Sequence, residues 1–209
     1  MSGWTLRTKQ LPSLRVDLRG VTPDALAALS LAKIERIPVG HGNAFVPLAE
    51  LFHIEPRTDD ALVFAADLAR FDRVGWQMDG GRLIVEGAVG DYAGAAMRGG
   101  EWTVHGNAGD FLASRMVAGT VAIGGSVGAH VGYGMRRGSV VFARETPDAA
   151  PDAAPTFVPA IAGAPVFWQL LARDLARHGG IFATLPSRRI ERRLGDLAAG
   201  GKGELIAVT

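Results

Sequence analysis

The chain has no cysteine, which excludes disulfides, iron–sulfur ligation and a thiolate nucleophile and fits a cytosolic setting. It has no dominant sign of charge. Twenty-two Lys and Arg against 21 Asp and Glu leave +1, so neither nucleic acid nor an anionic membrane is an expected partner. No run of about 18 apolar residues is present to span a bilayer, and Met1 to Leu11 lacks the apolar centre of a signal peptide. A soluble, cytoplasmic chain is expected. The five histidines (His41, His53, His105, His130, His178) include no pair at i, i+2 or i, i+4, the spacings that place two metal ligands on one face. With 48% apolar residues in 209, there is enough to build an ordinary core.

Glycine, at 28 residues, is the outlier, and a repeat explains it. The segments Arg82-Leu-Ile-Val-Glu-Gly87, Glu101-Trp-Thr-Val-His-Gly106, Thr120-Val-Ala-Ile-Gly-Gly125 and Ser139-Val-Val-Phe-Ala-Arg144 start 19 residues apart. The same step aligns Gly81, Gly100, Gly119 and Gly138; Gly87, Gly106 and Gly125; Gly90, Gly109 and Gly128; and Gly94 with Gly132. Met78, Met97, Met116 and Met135 form another column. A period near 20 marks a solenoid whose repeats bury apolar faces against their neighbours. Within each repeat Leu83 and Val85, Trp102 and Val104, Val121 and Ile123, Val140 and Phe142 share one parity, which is a strand period. Glycines every few positions forbid the helix a helical solenoid needs. The expected fold is mainly β: a right-handed parallel β-helix of about four coils, the first (about Leu62 to Gly81) degenerate. Both ends need covering, because a short stack exposes open strand edges.

The flanks supply the covers. Residues 1–60 read as a small α/β cap. A strand around Leu14 to Leu18 comes first, then a helix over Pro23 to Ser30 with Thr22 as N-cap and proline at its first position. A strand from Ile34 to Val39 and a turn at Gly40-His41-Gly42-Asn43 follow. Residues 61–145 form the repeat. Residues 146–209 open with a proline-spaced linker and continue as a helix from Pro165 to His178, with Phe167, Leu171 and Leu175 on one stripe, ended by Gly179-Gly180. The helix is expected along the solenoid's side or over its end, ahead of an arginine- and glycine-rich tail.

Candidate chemistry is sparse. Gly124-Gly125-Ser126-Val127-Gly128 has the look of a dinucleotide turn, but glycines at 132, 134 and 138 deny it the following helix. His105 occupies an outward column and reads as solvated. His130 shares a column with Tyr92 and Phe111 and reads as packing. Asp91 and Asp110 stand one repeat apart and read as acceptors for turn amides rather than an acid–base pair. The methionine column reads as core. Arg98, Arg115 and Arg136 (with Arg137) form a basic strip, a solvated face or a dock for an acidic partner or tail. No self-contained catalytic set emerges, so a structural or interaction subunit is expected, with no metal and no cofactor held by this chain.

The pattern Gly87-x-x-Gly90-x-x-x-Gly94, repeated as Gly125-x-x-Gly128-x-x-x-Gly132, resembles the GXGXG β-helix family. That family includes the C-terminal domain of the glutamate synthase large subunit and the C subunit of formylmethanofuran dehydrogenase. Ala154-Pro-Thr-Phe157 with Phe167-Trp-Gln-Leu-Leu171, Arg193-Leu-Gly-Asp196-Leu-Ala with Gly201-Lys-Gly-Glu204-Leu, and Val39-Gly-His-Gly-Asn43 through Phe52 are similar to the formylmethanofuran dehydrogenase branch. The resemblance implies a scaffold subunit of a bacterial formyltransferase/hydrolase complex. Such a complex moves a formyl group from formyl-tetrahydromethanopterin to a methanofuran-type carrier and releases formate in formaldehyde oxidation. It implies an amidohydrolase-like metal subunit, a formyltransferase subunit and a further subunit as partners, with zinc and the carrier held there; in that setting the basic strip of Arg98, Arg115 and Arg136 is expected to contact the carrier's tail. A tungsten or molybdenum formylmethanofuran dehydrogenase that reduces carbon dioxide, or a glutamate-synthase-like protein, are the alternatives.

Overall fold

A computed structural model describes residues 3–144, 156–160 and 165–209. The strands are β1 (Trp4–Thr8), β2 (Val16–Asp17), β3 (Pro38–His41), β4 (Ala44–Pro47), β5 (Phe52–Pro56), β6 (Leu62–Phe64), β7 (Phe71–Asp72), β8 (Arg82–Val85), β9 (Glu101–Val104), β10 (Thr120–Ile123), β11 (Ser139–Phe142), β12 (Val158–Pro159), β13 (Ile190–Gly195) and β14 (Gly203–Val208). The helices are α1 (Pro23–Leu26), α2 (Leu31–Ile34), α3 (Leu48–Leu51) and α4 (Pro165–Leu175), with 3-10 turns at Ala176–His178, Gly180–Ser187 and Leu197–Ala199. The protein is mainly β.

Strands β8, β9, β10 and β11 pair in parallel, each residue opposite the one 19 positions on, as in Leu83↔Trp102, Trp102↔Val121 and Val121↔Val140. A second line of parallel bridges runs Leu68, Val89, Ala108, Val127. The 19-residue step is thus one rung of a ladder. The inward parity holds throughout: Leu83, Val85, Trp102, Val104, Val121, Ile123 and Val140 are fully enclosed, as are all four methionines of the column. The first rung departs from the rest, since β6 pairs with β8 at a step of 21, Leu62↔Leu83.

The ladder belongs to a mixed ten-stranded sheet, ordered β12-β13-β14-β11-β10-β9-β8-β6-β1-β5. Its ends are closed by antiparallel pairs, β1 with β5 and β13 with β14. After Arg144 the repeat breaks, yet the next rung exists. It is β14, parallel to β11 with Val140↔Leu205 and Phe142↔Ala207. A tail read as irregular therefore supplies a rung, and its alternation puts Leu205 and Ala207 in the core. The linker expected before the helix lies largely outside the described residues.

The N-terminal expectations need correction in detail. Thr22 caps α1, its side chain accepting from the Ala25 N–H, but the helix stops at Leu26. A second helix begins after Ser30, whose extended backbone restarts the chain and whose carbonyl accepts from Lys33 and Ile34. Ile34 therefore ends a helix instead of opening a strand. Strand β3 begins only at Pro38 and joins a second sheet ordered β4-β3-β2-β7.

The corners are not built from glycine alone. In each repeat three positions take left-handed φ in alternation: Arg73, Tyr92, Phe111 and His130 (57–61°); Gly75, Gly94, Ala113 and Gly132; and Gln77, Ala96, Arg115 and Gly134. Side chains there accept a backbone cost of about 1 kcal/mol each, which the stacking of neighbouring rungs offsets. Glycine is obligatory where rungs touch. A Cβ on Gly106 would lie 2.6 Å from the backbone of Gly87 and Ala88; at Gly94, 3.0 Å from the Trp102 ring, the space is tight, and the next rung carries Ala113 at that position. The aspartates close the same corners. Asp72 accepts from the Asp91 N–H at 2.8 Å, Asp91 from the Asp110 N–H at 3.0 Å, and Asp110 from the Ala129 N–H at 2.8 Å. Arg15 joins Asp72 to Asp91 from the N-terminal region.

Helix α4 lies along the ladder's side. Its buried stripe is Trp168, Ala172 and Leu175; of the expected stripe only Leu175 is fully buried. Phe167 is 41% exposed and Leu171 only partly covered. Trp168 turns inward because its indole N–H reaches the Arg188 carbonyl at 3.1 Å. Beneath lie Ala122, Val141 and Ile206, the outward side chains of successive rungs, completed by Phe182 and Leu185.

Candidate functional site

Two surfaces gather polar side chains. The first is the joint between the ladder and the segment after α4. His178, ending the turn Ala176–His178, places Nε2 2.6 Å from Oε1 of Glu101 on β9. Only 9% of the His178 side chain and 18% of that of Glu101 remain exposed. The His178 imidazole holds the Glu101 carboxyl below its ordinary range, against the opposing effect of burial. His105 lies near the same joint, edge-on to Phe182 at 5.1 Å. It is half-buried rather than solvated, and burial, with His178 nearby, pushes its imidazole below the ordinary value. A pocket of 420 Å³ opens beside it, lined by Arg57, Glu86, His105, Arg177 and His178. Sequence reasoning missed this joint because its partners stand 77 residues apart and only one belongs to the repeat. A conspicuous cue was Glu101 at the start of a strand otherwise apolar or small.

The second surface is the open corner of the ladder. Tyr92 stacks on Phe111 at 4.9 Å and 5°, Phe111 on His130 at 4.8 Å and 28°, and Arg73 lies over Tyr92 at 5.4 Å. The shared column of Tyr92, Phe111 and His130 is thus a physical stack, capped at one end by a cation. Tyr133 stands perpendicular to Phe111 at 6.3 Å. Trp76, Tyr92, Phe111, Ser114, Arg115 and Tyr133 line a pocket of 350 Å³.

Arg98, Arg115 and Arg136 are all exposed on this side. Among the described residues none of the three has an ion pair or a side-chain hydrogen bond. Arg98 and Arg136 share a column two rungs apart, roughly 10 Å at strand spacing. Arg115 and Arg136 line one pocket of 490 Å³ with Val117, Tyr133, Gly134 and Asp196; Arg98 stands outside it. Asp196 lines the same pocket but makes no ion pair with them among the described residues. Its carboxylate accepts from the Gly134 N–H at 3.0 Å and the Ala198 N–H at 2.9 Å. Burial alone would raise this carboxyl, but the hydrogen bonds bring it below the ordinary range. Arg115 and Tyr133 belong to both pockets, so the aromatic and cationic features adjoin. The arrangement can bind an anion and a flat apolar group. Among the described residues no cluster of three His, Asp or Glu forms a metal-binding group, and no helix is long and apolar enough to cross a membrane.

No family model matches the chain. A stretch of 100 residues is 33% identical to the C subunit of the tungsten-containing formylmethanofuran dehydrogenase 2 of Methanothermobacter wolfeii, covering 46% of this chain and 37% of that protein. A stretch of 87 residues is 40% identical to the C subunit of the formyltransferase/hydrolase complex of Methylorubrum extorquens, covering 41% of this chain and 32% of that protein. The matched stretches thus span well under two thirds of the length of these curated relatives. Among solved structures, the X-ray crystal structure of the formyltransferase/hydrolase complex from Methylorubrum extorquens with methylofuran contains a similar chain. It is 31% identical, with a TM-score of 0.50, and the match covers 97% of this chain and 98% of that one.

Proposed function

Because the chain belongs to the family of the C subunits of the formyltransferase/hydrolase and formylmethanofuran dehydrogenase complexes, we propose that it is a non-catalytic scaffold subunit of a cytoplasmic formyltransferase/hydrolase complex. That complex passes a formyl group from formyl-tetrahydromethanopterin to a methanofuran-type carrier and releases formate. The observation that carries this reading is the near end-to-end correspondence with a chain of the bacterial complex. The ladder is read as a right-handed parallel β-helix whose side holds an amidohydrolase-like, zinc-bearing subunit at a fixed distance from a formyltransferase subunit, with a further subunit completing the assembly. The carrier's arm then moves between two sites without leaving, an effective-concentration gain. Arg98, Arg115 and Arg136, without an ion pair among the described residues, contact the carrier's acidic tail.

Affinity purification of this chain from its native host, with mass spectrometry and metal analysis of what accompanies it, tests the reading. Zinc with a formyltransferase partner supports it. The second reading, the C subunit of a carbon-dioxide-reducing formylmethanofuran dehydrogenase, is favoured by the 33% identity to the tungsten enzyme's subunit. Tungsten or molybdenum with iron–sulfur partners would establish it instead.

A further inference from the structure

The corner that carries the aromatic stack has its main chain largely engaged between rungs. The N–H groups of Arg73, Tyr92, Phe111, Gln77, Ala96 and Arg115 each donate to a carbonyl of the next rung, at 2.7–3.0 Å, and Gly134 donates to Asp196. Between Arg73 and Arg115 these N–H groups are not free to take an added strand. What remains for recognition is side-chain chemistry, and it is of two kinds in contact with each other. One pocket is walled by Trp76, Tyr92, Phe111 and Tyr133, with Ser114 at its side. The adjoining pocket presents Arg115 and Arg136 beside Val117. The stack fills the ring faces of Phe111 on both sides. It leaves ring edges, which carry the positive end of the aromatic quadrupole, together with the perpendicular ring of Tyr133, half exposed. Ring edges and guanidinium groups both select electron-rich, anionic guests. Asp196 lies in the second pocket as a carboxylate held by the Gly134 and Ala198 N–H groups, and the guanidinium groups of Arg115 and Arg136 outnumber its single negative charge there.

We propose that the two pockets form one bipartite site for aromatic carboxylates: a flat ring lodges against Trp76 and Tyr133, and its carboxylate reaches Arg115 and Arg136. The volumes, 350 and 490 Å³, lie in the range of small-molecule sites. Binding is non-covalent. The proposal rests on the reading of the arginine strip as anion-binding and adds a ring-binding half that the strip alone does not imply.

The test is a two-dimensional NMR titration of the full 209-residue chain with four probes: 4-hydroxyphenylacetate, its uncharged amide, cyclohexylacetate and triglutamate. The expected result is saturable shifts at Trp76, Tyr133 and Arg115. The aromatic acid should bind about ten-fold tighter than either the amide or the saturated acid, since the amide loses the charge-assisted pairing and the saturated acid the ring contact. Tyr133→Ala should weaken the aromatic acid about ten-fold and leave triglutamate unchanged, while Tyr133→Phe retains affinity. Triglutamate bound through Arg98, Arg115 and Arg136 while the ring adds nothing would overturn this inference and leave the anion-binding reading standing. An amide that binds as well as the acid, with triglutamate silent, would overturn both.

Discussion

The two outer surfaces of the ladder are treated in opposite ways. On the strand face, the outward side chains Ala122, Val141 and Ile206 are sealed under Trp168, Phe182 and Leu185. On the corner, Tyr92, Phe111, His130 and three arginines without an ion pair among the described residues stay open. Both surfaces are products of the same repeat. A 19-residue period dictates the interior alike in every rung, whereas the fate of each outer surface is decided by the non-repeating segments. The covered face uses its outward residues for stability; the open one stacks its rings on each other and keeps charge that the fold itself does not consume.

That contrast can be broken from the inside outwards. Trp102→Ala empties the largest fully buried side chain and is expected to cost about 3–5 kcal/mol, read by chemical denaturation, with both outer surfaces lost together. His178→Ala strands Glu101 in a mostly buried joint, and about 1–3 kcal/mol is expected. The loss should appear as faster hydrogen exchange over residues 165–187 while the exchange of β9 and β10 is kept. If the ladder loosened equally, the cover would be part of the core and the distinction would fall. Gly94→Ala imposes a left-handed alanine against the Trp102 ring and should cost about 1–2 kcal/mol. Gly80→Ala, with nothing near its Cβ, should stay within about 0.5 kcal/mol.

The joint also has a pH signature. The folded state depresses His105, so the stability it favours is complete above the unfolded histidine value near 6.5 and declines as pH falls from there towards the folded value. Glu101, also depressed, adds a loss of the same sign below the ordinary glutamate range. His105→Gln should flatten the decline that starts near pH 6.5 in a melting-temperature series, leaving the lower one. The smallest effect is expected on the open corner. Arg98→Ala, Arg115→Ala and Arg136→Ala should each leave stability within about 0.5 kcal/mol, because none holds the fold.

The interior was legible because its constraint repeats. Leu83, Trp102, Val121 and Val140 announce their parity four times, and the methionine column announces its depth. The aspartate corners were legible too, since Asp91 and Asp110 stand one step apart. Single events were not. Helix α1 stops at Leu26 because the backbone restarts at Ser30, and no period marks that. The tail's rung, β14, lies far beyond β11 in sequence, and only the alternation of Leu205 and Ala207 hinted at it. Trp168 displaced Phe167 from the buried stripe of α4 through one indole hydrogen bond to Arg188, a partner that helix periodicity cannot see. The pairing of His178 with Glu101 was invisible for the same reason. At the corner, glycines at positive φ such as Gly75, Gly94 and Gly132 alternate with side chains at positive φ, which no composition argument foretells. Tyr92, Phe111 and His130 hold that backbone because each ring rests on the next.

The most direct test of the scaffold role is formate release from a formylated carrier, measured with the purified chain alone and with the chain restored to its partner subunits. The expected result is no turnover by the chain alone and full turnover on restoring it to a complex that lacks it. Hydrolysis by the isolated chain, or a complex fully active without it, would contradict the scaffold role.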